Sequence, residues 1–397
     1  MSHQLINLSD DLKRLRNEGY HLEIRGGHLL VKDVPYVNSK KEVQRGTLVC
    51  KLTLAGDVTA RPGDHIAHFI GEHPCDQNGM ELEKIKNASN KNALHKDVVI
   101  DHTFSAKPQP SGVYDNYYDK VTTYVGILSR YAQALSPDTE ITAKTFPAIE
   151  ADEDEDSPFN YIDTASSRAE IEVVTDKLRS KKIAILGTGG TGAYTLDFTA
   201  KTPVDEIHLY DGDDFLQHNA FRVPGAPSIE ELSAKPKKTA YLKGLYSKMH
   251  RGIVAHEEYV DASNVEQLRV MDFVFVCLDR GTAKKLIIEK LEEYGIPFVD
   301  VGMGIYEADG SLGGILRVTT STPDQRDHVR GRIPFSDGVG RNEYATNIQI
   351  AELNALNAAL AIIKWKKLCG FYLDFDHEYH STFTITGNLL LNEDKNP

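Results

Sequence analysis

KIAILGTGGTGAYTLDFTA, residues 182–200, runs a strand into a glycine turn and the turn into a helix. The apolar stretch Lys182–Leu186 reads as the strand, Gly187, Gly189, Gly190 and Gly192 punctuate the turn, and the mixed segment after Ala193 reads as the helix. Without Cβ atoms the glycines let backbone amides approach an anion, and a helix N-terminus adds favourable potential for phosphate. Taken alone, this turn marks a nucleotide site of the kind NAD-dependent dehydrogenases use.

Working outward, apolar runs recur as EIHLYD (206–211), DFVFVCLD (272–279) and PFVDVG (297–302), separated by longer mixed segments. That alternation predicts an α/β domain with a Rossmann-like, doubly wound, mainly parallel sheet. From Ile348 to Leu368 the apolar positions Ile350, Leu353, Leu356, Leu360 and Ile363 predict a packed helix that Gly370 ends, with STFTIT (381–386) as a final strand. Upstream, DEDED at 152–156 repels itself and reads as a solvated linker. Before it, short apolar stretches broken by Gly26-Gly27, Gly56 and Pro62-Gly63 precede a tyrosine-rich helical pattern, which predicts a smaller α+β domain. The expected division is an accessory domain at 1–150, an acidic linker at 151–158 and the nucleotide-binding domain at 159–397.

The 397 residues carry 45 Lys and Arg against 58 Asp and Glu, a formal charge of −13, which argues against broad attraction to nucleic acid or anionic membrane. No apolar run reaches the ~20 residues of a membrane helix and the start lacks a secretory pattern, so a cytoplasmic protein is expected. Cys50, Cys75, Cys277 and Cys369 form no CxxC pair, and neither a zinc site nor a disulfide framework is predicted.

The residues after the second strand change the cofactor. Asp211 stands where a carboxylate bonds ribose hydroxyls. DGDDFLQHNAFR (211–222) then supplies Asp213, Asn219 and Arg222, and SAKPKKTA (233–240) supplies Lys237 and Lys238. Hydride transfer needs no such cluster, whereas adenylation does, because charge moves onto departing pyrophosphate. Asp279 ends the next strand at the carboxyl edge of the sheet, where a carboxylate can hold Mg2+.

In order and spacing, GTGGTG, DGDDFLQHNAFR, KPK and CLD before a helix resemble the ThiF/MoeB superfamily, which includes the ubiquitin-activating enzymes; the resemblance runs from Phe159 to the end. It implies that Gly187, Gly189, Gly190, Gly192, Asp211 and Asp213 bind ATP and that Asn219 and Arg222 hold its phosphates. Lys237, or alternatively Lys238, would meet the reacting phosphate, and Asp279 would hold Mg2+. It further implies a homodimer in which Arg168 of TASSRAEI (164–171) completes the facing site. The substrate implied is the C-terminal carboxylate of a ubiquitin-like protein, with a ubiquitin-conjugating-type carrier protein downstream. Residues 1–150 resemble, around VPYV (34–37), GEHPCD (71–76) and FSAKP (104–108), an extension found on bacterial ThiF-like proteins in defence-associated gene sets, which implies an antiviral setting.

Two features depart from the family. The crossover segment GGILRVTTSTPDQRDHVRGRIPF (313–335) contains no cysteine for a thioester, and the zinc-binding CxxC pairs are missing. Three acyl routes stay open: direct transfer from the adenylate, an oxyester on Thr320, Ser321 or Thr322 with His328 nearby, or a thioester on Cys75 in the polar stretch GEHPCDQNG (71–79). Asp64, His65, His68 and His73, with His102, form a second cluster. On a strand His65 and His68 face opposite sides, which favours hydrogen-bonded histidines over a shared metal. The competing readings are adenylation of a sulfur-carrier protein or peptide, and a noncatalytic nucleotide-binding scaffold, which would have no use for Arg222, Lys237 and Asp279.

Overall fold

The structure, a computed structural model, describes residues 2–151, 157–279, 281–335 and 348–395. The acidic run at 152–156 lies outside the described residues. The chain divides into two compact units, Met1–Glu155 with Tyr161–Glu170, and Asp156–Asn160 with Ile171–Pro397. Residues 161–170, expected with the second domain, thus cluster with the first.

The first unit opens with helices α1 (Ser2–Leu8) and α2 (Asp10–Asn17). Strands β1 (His21–Arg25), β2 (His28–Val37) and β3 (Val43–Lys51) follow, then a small hairpin of β4 (Leu54–Ala55) and β5 (Val58–Thr59). Strands β6 (Ile66–Ile70), β7 (Lys86–His95) and β8 (Val98–Ser105) complete an antiparallel sheet of order β1-β2-β3-β6-β8-β7. Gly26 and Gly27, both at positive φ, make the tight turn between β1 and β2, a conformation that side chains with a Cβ disfavour. Helix α3 (Tyr117–Leu135) is capped by the Asn116 side chain, which accepts the Asp119 N–H. It buries Tyr117, Val121, Tyr124 and Leu128 against Leu29, Val31, Leu48 and Phe69 of the sheet. This 3.6-residue stripe contributes roughly 1.5–3 kcal/mol per side chain. Helix α4 (Thr164–Arg168), capped by Asp163, belongs to this unit.

In the second unit α5 (Glu172–Thr175) precedes β9 (Lys182–Leu186), α6 (Gly190–Thr199) and β10 (Glu206–Tyr210). Helices α7 (Gln217–Ala220), α8 (Ile229–Ser233) and α9 (Lys238–Tyr246) lead to β11 (Ile253–His256), then β12 (Phe273–Val276), α10 (Gly281–Tyr294), β13 (Phe298–Ala308) and β14 (Ser311–Ser321). Helices α11 (Val329–Arg332) and α12 (Ala351–Leu368) precede β15 (His380–Thr384) and β16 (Leu389–Glu393). The sheet order is β11-β10-β9-β12-β13-β14-β15-β16, parallel from β11 through β13 and antiparallel beyond. The α/β expectation holds, but the parallel part is joined to an antiparallel extension, and β16 lies past the expected last strand.

Alternation along β9 shows why two layers of helix are needed. Ile183 and Ile185 enter a core with Leu196, Leu242 and Trp365, from α6, α9 and α12. Ala184 and Leu186 face the other way, into a core with Ile287, Ile288 and Leu291 of α10. The chain lays β10 and β11 outward on one side of β9 and then crosses back to place β12 on the other. Such a reversal opens a crevice at the carboxyl ends of the central strands, where ligands bind in open α/β sheets. No helix among the described residues is long and apolar enough to cross a membrane.

Candidate functional site

Each glycine of the turn has its own steric reason. Gly187 takes φ +84°, and a Cβ there would stand 2.7 Å from the Cys277 carbonyl oxygen. A Cβ on Gly192 would overlap the Gly187 carbonyl, and one on Gly190 would overlap the Asn354 amide of α12. At Gly189, the N-cap of α6, a Cβ would meet nothing within 4 Å. Three glycines therefore seat the turn against strand and helix, and the fourth borders open space beside the first turn of α6, whose N–H groups have no intrahelical acceptors.

Asp211 joins that turn to the end of β10. Its Oδ2 accepts the Thr188 backbone N–H at 2.8 Å and the Thr188 hydroxyl at 3.1 Å, while Oδ1 accepts the Asp213 N–H at 2.9 Å. The carboxylate is 5% exposed. Most of its acceptor capacity goes to holding the turn, which leaves Oδ1 for a further donor such as a ribose hydroxyl. Tyr259 lies over Gly212 and hydrogen-bonds Asp213 through its hydroxyl.

The two lysines separate. Lys237, the N-cap of α9, donates to the Gly212 carbonyl at 2.9 Å and pairs with Asp214 at 2.8 Å, a bond that holds its pKa above the ordinary lysine value. Lys238 is nearly buried, pairs with Asp213 at 2.6 Å and stands 3.8 Å from Asp211 Oδ1. The deeper cation is therefore Lys238.

Asn219 and Arg222 are brought to the same crevice. Asn219 Oδ1 accepts the Leu216 N–H at 2.8 Å, which leaves Nδ2 buried with no partner among the described residues. Arg222 Nε is likewise buried and unpartnered among those residues. Burial pulls the Arg222 pKa below its ordinary value, while the charges of Asp279 and Asp213 pull the other way, so the guanidinium sits within electrostatic reach of both. Asp279 is exposed three residues past β12. Asn354, fully buried, accepts the Thr191 hydroxyl at 3.0 Å and donates to the Arg222 carbonyl at 3.3 Å. Sequence reading missed Asn354 and Tyr259. Neither lies in a motif, and Asn354 is separated from the turn by 163 positions.

Behind the crevice Asp300, fully buried, is ion-paired to Lys284 of α10 at 2.7 Å and to Arg317 of β14 at 2.5 Å. Arg317 also donates to Thr319, whose hydroxyl meets His380 Nδ1 at 3.0 Å. Burial, with Arg332 and Arg317, pushes His380 down to about 4.

The expected acyl acceptors do not stand free. Cys75 is 1% exposed, not on an open loop, because it bridges to Val37 and Glu81 and its Sγ is bonded to the His73 carbonyl at 3.3 Å. Burial raises its pKa, raises Cys369, and lifts Cys50 to about 11 and Cys277 to about 12, so no cysteine is poised as a thiolate. Thr320 and Ser321 lie buried in β14, and the Thr322 hydroxyl is buried as well. His328 Nε2 donates to the Thr320 carbonyl at 2.8 Å, not to its hydroxyl. In the first unit Asp64 is bonded to Lys120 and His68 to Thr103, while the His73 and His102 rings meet edge to face. Among the described residues no group of three or more His, Cys, Asp or Glu side chains is placed to hold a metal. Arg168 ends α4, exposed, with its guanidinium 5.9 Å from the Phe146 ring centre.

With this geometry in hand, the ThiF family matches residues 164–383, and a Domain of unknown function (DUF6791) matches residues 10–164. The Drosophila mojavensis Ubiquitin-like modifier-activating enzyme 5 is 19% identical over 205 residues, 49% of this chain and 51% of that protein. The chain thus spans about half the length of this curated relative. Among solved structures, E. coli MccB with AMPCPP and MccA is 18% identical with a TM-score of 0.46, covering 59% of this chain and 73% of that one. PaaA is 17% identical with a TM-score of 0.42, covering 56% and 66%.

Proposed function

This chain belongs to the ThiF family, and from that premise we propose that it is an ATP-dependent adenylyltransferase acting on the C-terminal carboxylate of a small carrier protein or peptide. The observation that carries the reading is the pair of buried donors without hydrogen-bond partners among the described residues, Arg222 Nε and Asn219 Nδ2, beside a turn that is open at Gly189. Buried donors cost free energy unless an acceptor arrives, and phosphate oxygens are the acceptors a glycine turn at a helix N-terminus admits. Both groups fit ATP. Asp279 is the carboxylate that would hold Mg2+, which neutralises phosphate charge when bound.

The substrate carboxylate attacks the α-phosphorus, the bond to the β-phosphate oxygen breaks, and pyrophosphate leaves an acyl-adenylate. The attacking group is already ionised at neutral pH, so no general base is required. Arg222 and Lys238 stabilise charge on the departing pyrophosphate, and Asp211 fixes the turn and the ribose. With no thiolate ready and the hydroxyls of β14 buried, the acyl group passes directly from the adenylate to an outside nucleophile. The narrower reading, a ubiquitin-like protein as substrate, draws only on the 19% identity to Ubiquitin-like modifier-activating enzyme 5.

ATP–pyrophosphate exchange with candidate proteins and peptides ending in glycine tests the proposal. Arg222→Ala and Lys238→Ala should each lower exchange about 100-fold or more, and Lys237→Ala less, with folds retained by circular dichroism. Calorimetric binding of NAD in place of ATP and magnesium, or wild-type exchange in both variants, would sink the assignment. A larger loss for Lys237→Ala than for Lys238→Ala would reverse the choice of lysine.

A further inference from the structure

Helix α12 carries two buried asparagines, Asn354 and Asn357, on the face that also buries Ala358, Ala361, Ile362 and Trp365. A buried amide is costly unless its donors and acceptors are used. Asn354 uses them to join parts of the chain that motifs treat separately: its Oδ1 takes the Thr191 hydroxyl of the first turn of α6, and its Nδ2 holds the carbonyl of Arg222. Gly190 is the third contact, since only a residue without a Cβ leaves room for that amide. One side chain therefore sets the spacing between the glycine turn and the segment that carries Arg222, whose buried Nε has no hydrogen-bond partner among the described residues.

We propose that Asn354 is a positioning residue of the phosphate site, acting on bound ATP through Arg222; the proposal rests on the nucleotide reading above. Without the amide, the Arg222 carbonyl loses its buried donor and the loop after α7 must find another arrangement. The guanidinium then no longer meets the phosphates at a fixed place relative to the α6 amides. Small displacements of a charged group cost much of its electrostatic benefit, which depends on preorganisation. Asn354 touches no ligand itself in this scheme.

A double-variant cycle read by calorimetric titration of ATP with magnesium into the full chain tests it. Asn354→Leu keeps nearly the side-chain shape against Gly190 and removes both hydrogen bonds. It should weaken ATP binding about tenfold, the worth of one or two buried hydrogen bonds. Arg222→Ala should weaken binding by more, and Asn354→Leu placed on top of Arg222→Ala should add nothing further, because the residue acts through Arg222. A purely structural role would instead multiply the two losses and overturn the proposal, as would wild-type affinity in folded Asn354→Leu. Should the leucine variant fail to fold, Asn354→Ala runs through the same cycle. Failure of the unaltered chain to bind ATP would remove the nucleotide reading and this inference together, whereas a multiplicative cycle on a chain that binds ATP removes this inference alone.

Discussion

Gly189 and Gly190 are neighbours with opposite duties. A methyl group at Gly190 would strike the Asn354 amide, which is fully buried and held by two hydrogen bonds. At Gly189 the same methyl enters open space, and the backbone there, at φ −69°, accepts any L residue. Gly190→Ala should therefore destabilise the chain by about 1–3 kcal/mol. Gly189→Ala should leave urea unfolding within about 1 kcal/mol of wild type while weakening ATP binding, because its methyl occupies the opening given to phosphate. Unchanged ATP affinity in Gly189→Ala would place the phosphates elsewhere. At this scale sequence was informative where a motif fixes the backbone: the glycines, Asp211, Asn219 and Arg222 meet as spacing implied. It named Lys237 ahead of Lys238 for the reacting phosphate and could not decide between them, since which of two adjacent side chains turns inward depends on how Lys237 caps α9. Asn354 was beyond reach because its partners are brought to it only by the packing of α12 on α6.

Strand β15 shows what a buried titratable group does to an element. His380 is 4% exposed, paired to Thr319, and pushed down to about 4 by burial together with Arg332 and Arg317. The folded state keeps the ring neutral while the unfolded chain takes up its proton near the ordinary value of 6.5, so stability is full above that pH and falls as pH drops toward 4. The loss can reach about 3 kcal/mol and levels off below the folded value. His250, fully buried and lowered by burial as well, acts with the same sign. His380→Gln should flatten the dependence of urea-unfolding stability on pH between 6.5 and 4 relative to wild type, and an identical slope in both chains would exclude His380 as the source. Strands β9, β10 and β12 were legible in the sequence, whereas α12 was legible as a helix but not in its face: it buries Ala358, Ala361, Ile362 and Trp365 rather than the expected apolar stripe, whose Ile363 is 42% exposed. PFVDVG was legible only as a strand, because nothing in an apolar run announces that Asp300 is held between Lys284 and Arg317. Strand β16 escaped notice because Leu389, Leu390 and Leu391 are all exposed and show no alternation of burial.

For the whole molecule, the homodimer that the resemblance implies can be tested at the surface around α7 and α8. Phe221 and Ile229 are 77% and 75% exposed and border a recess of about 720 Å³ lined also by Leu216, His218 and Leu232. Large apolar side chains grouped in this way cost solubility unless covered, and a twofold pairing covers the same patch on both partners. Sedimentation equilibrium should give twice the chain mass, and Phe221→Glu with Ile229→Glu should give a monomer. The resemblance gives Arg168 a role across copies, and mixing separates that from a role within one chain. Arg168→Ala and Arg222→Ala would each be inactive alone in pyrophosphate exchange. In a mixed dimer, the chain with intact Arg222 would receive an intact Arg168 from its partner and regain one complete site. Random reassociation makes half of the dimers mixed, so exchange should recover to about a quarter of wild type. No recovery from a mixture shown to exchange subunits would mean that Arg168 does not complete a partner's site.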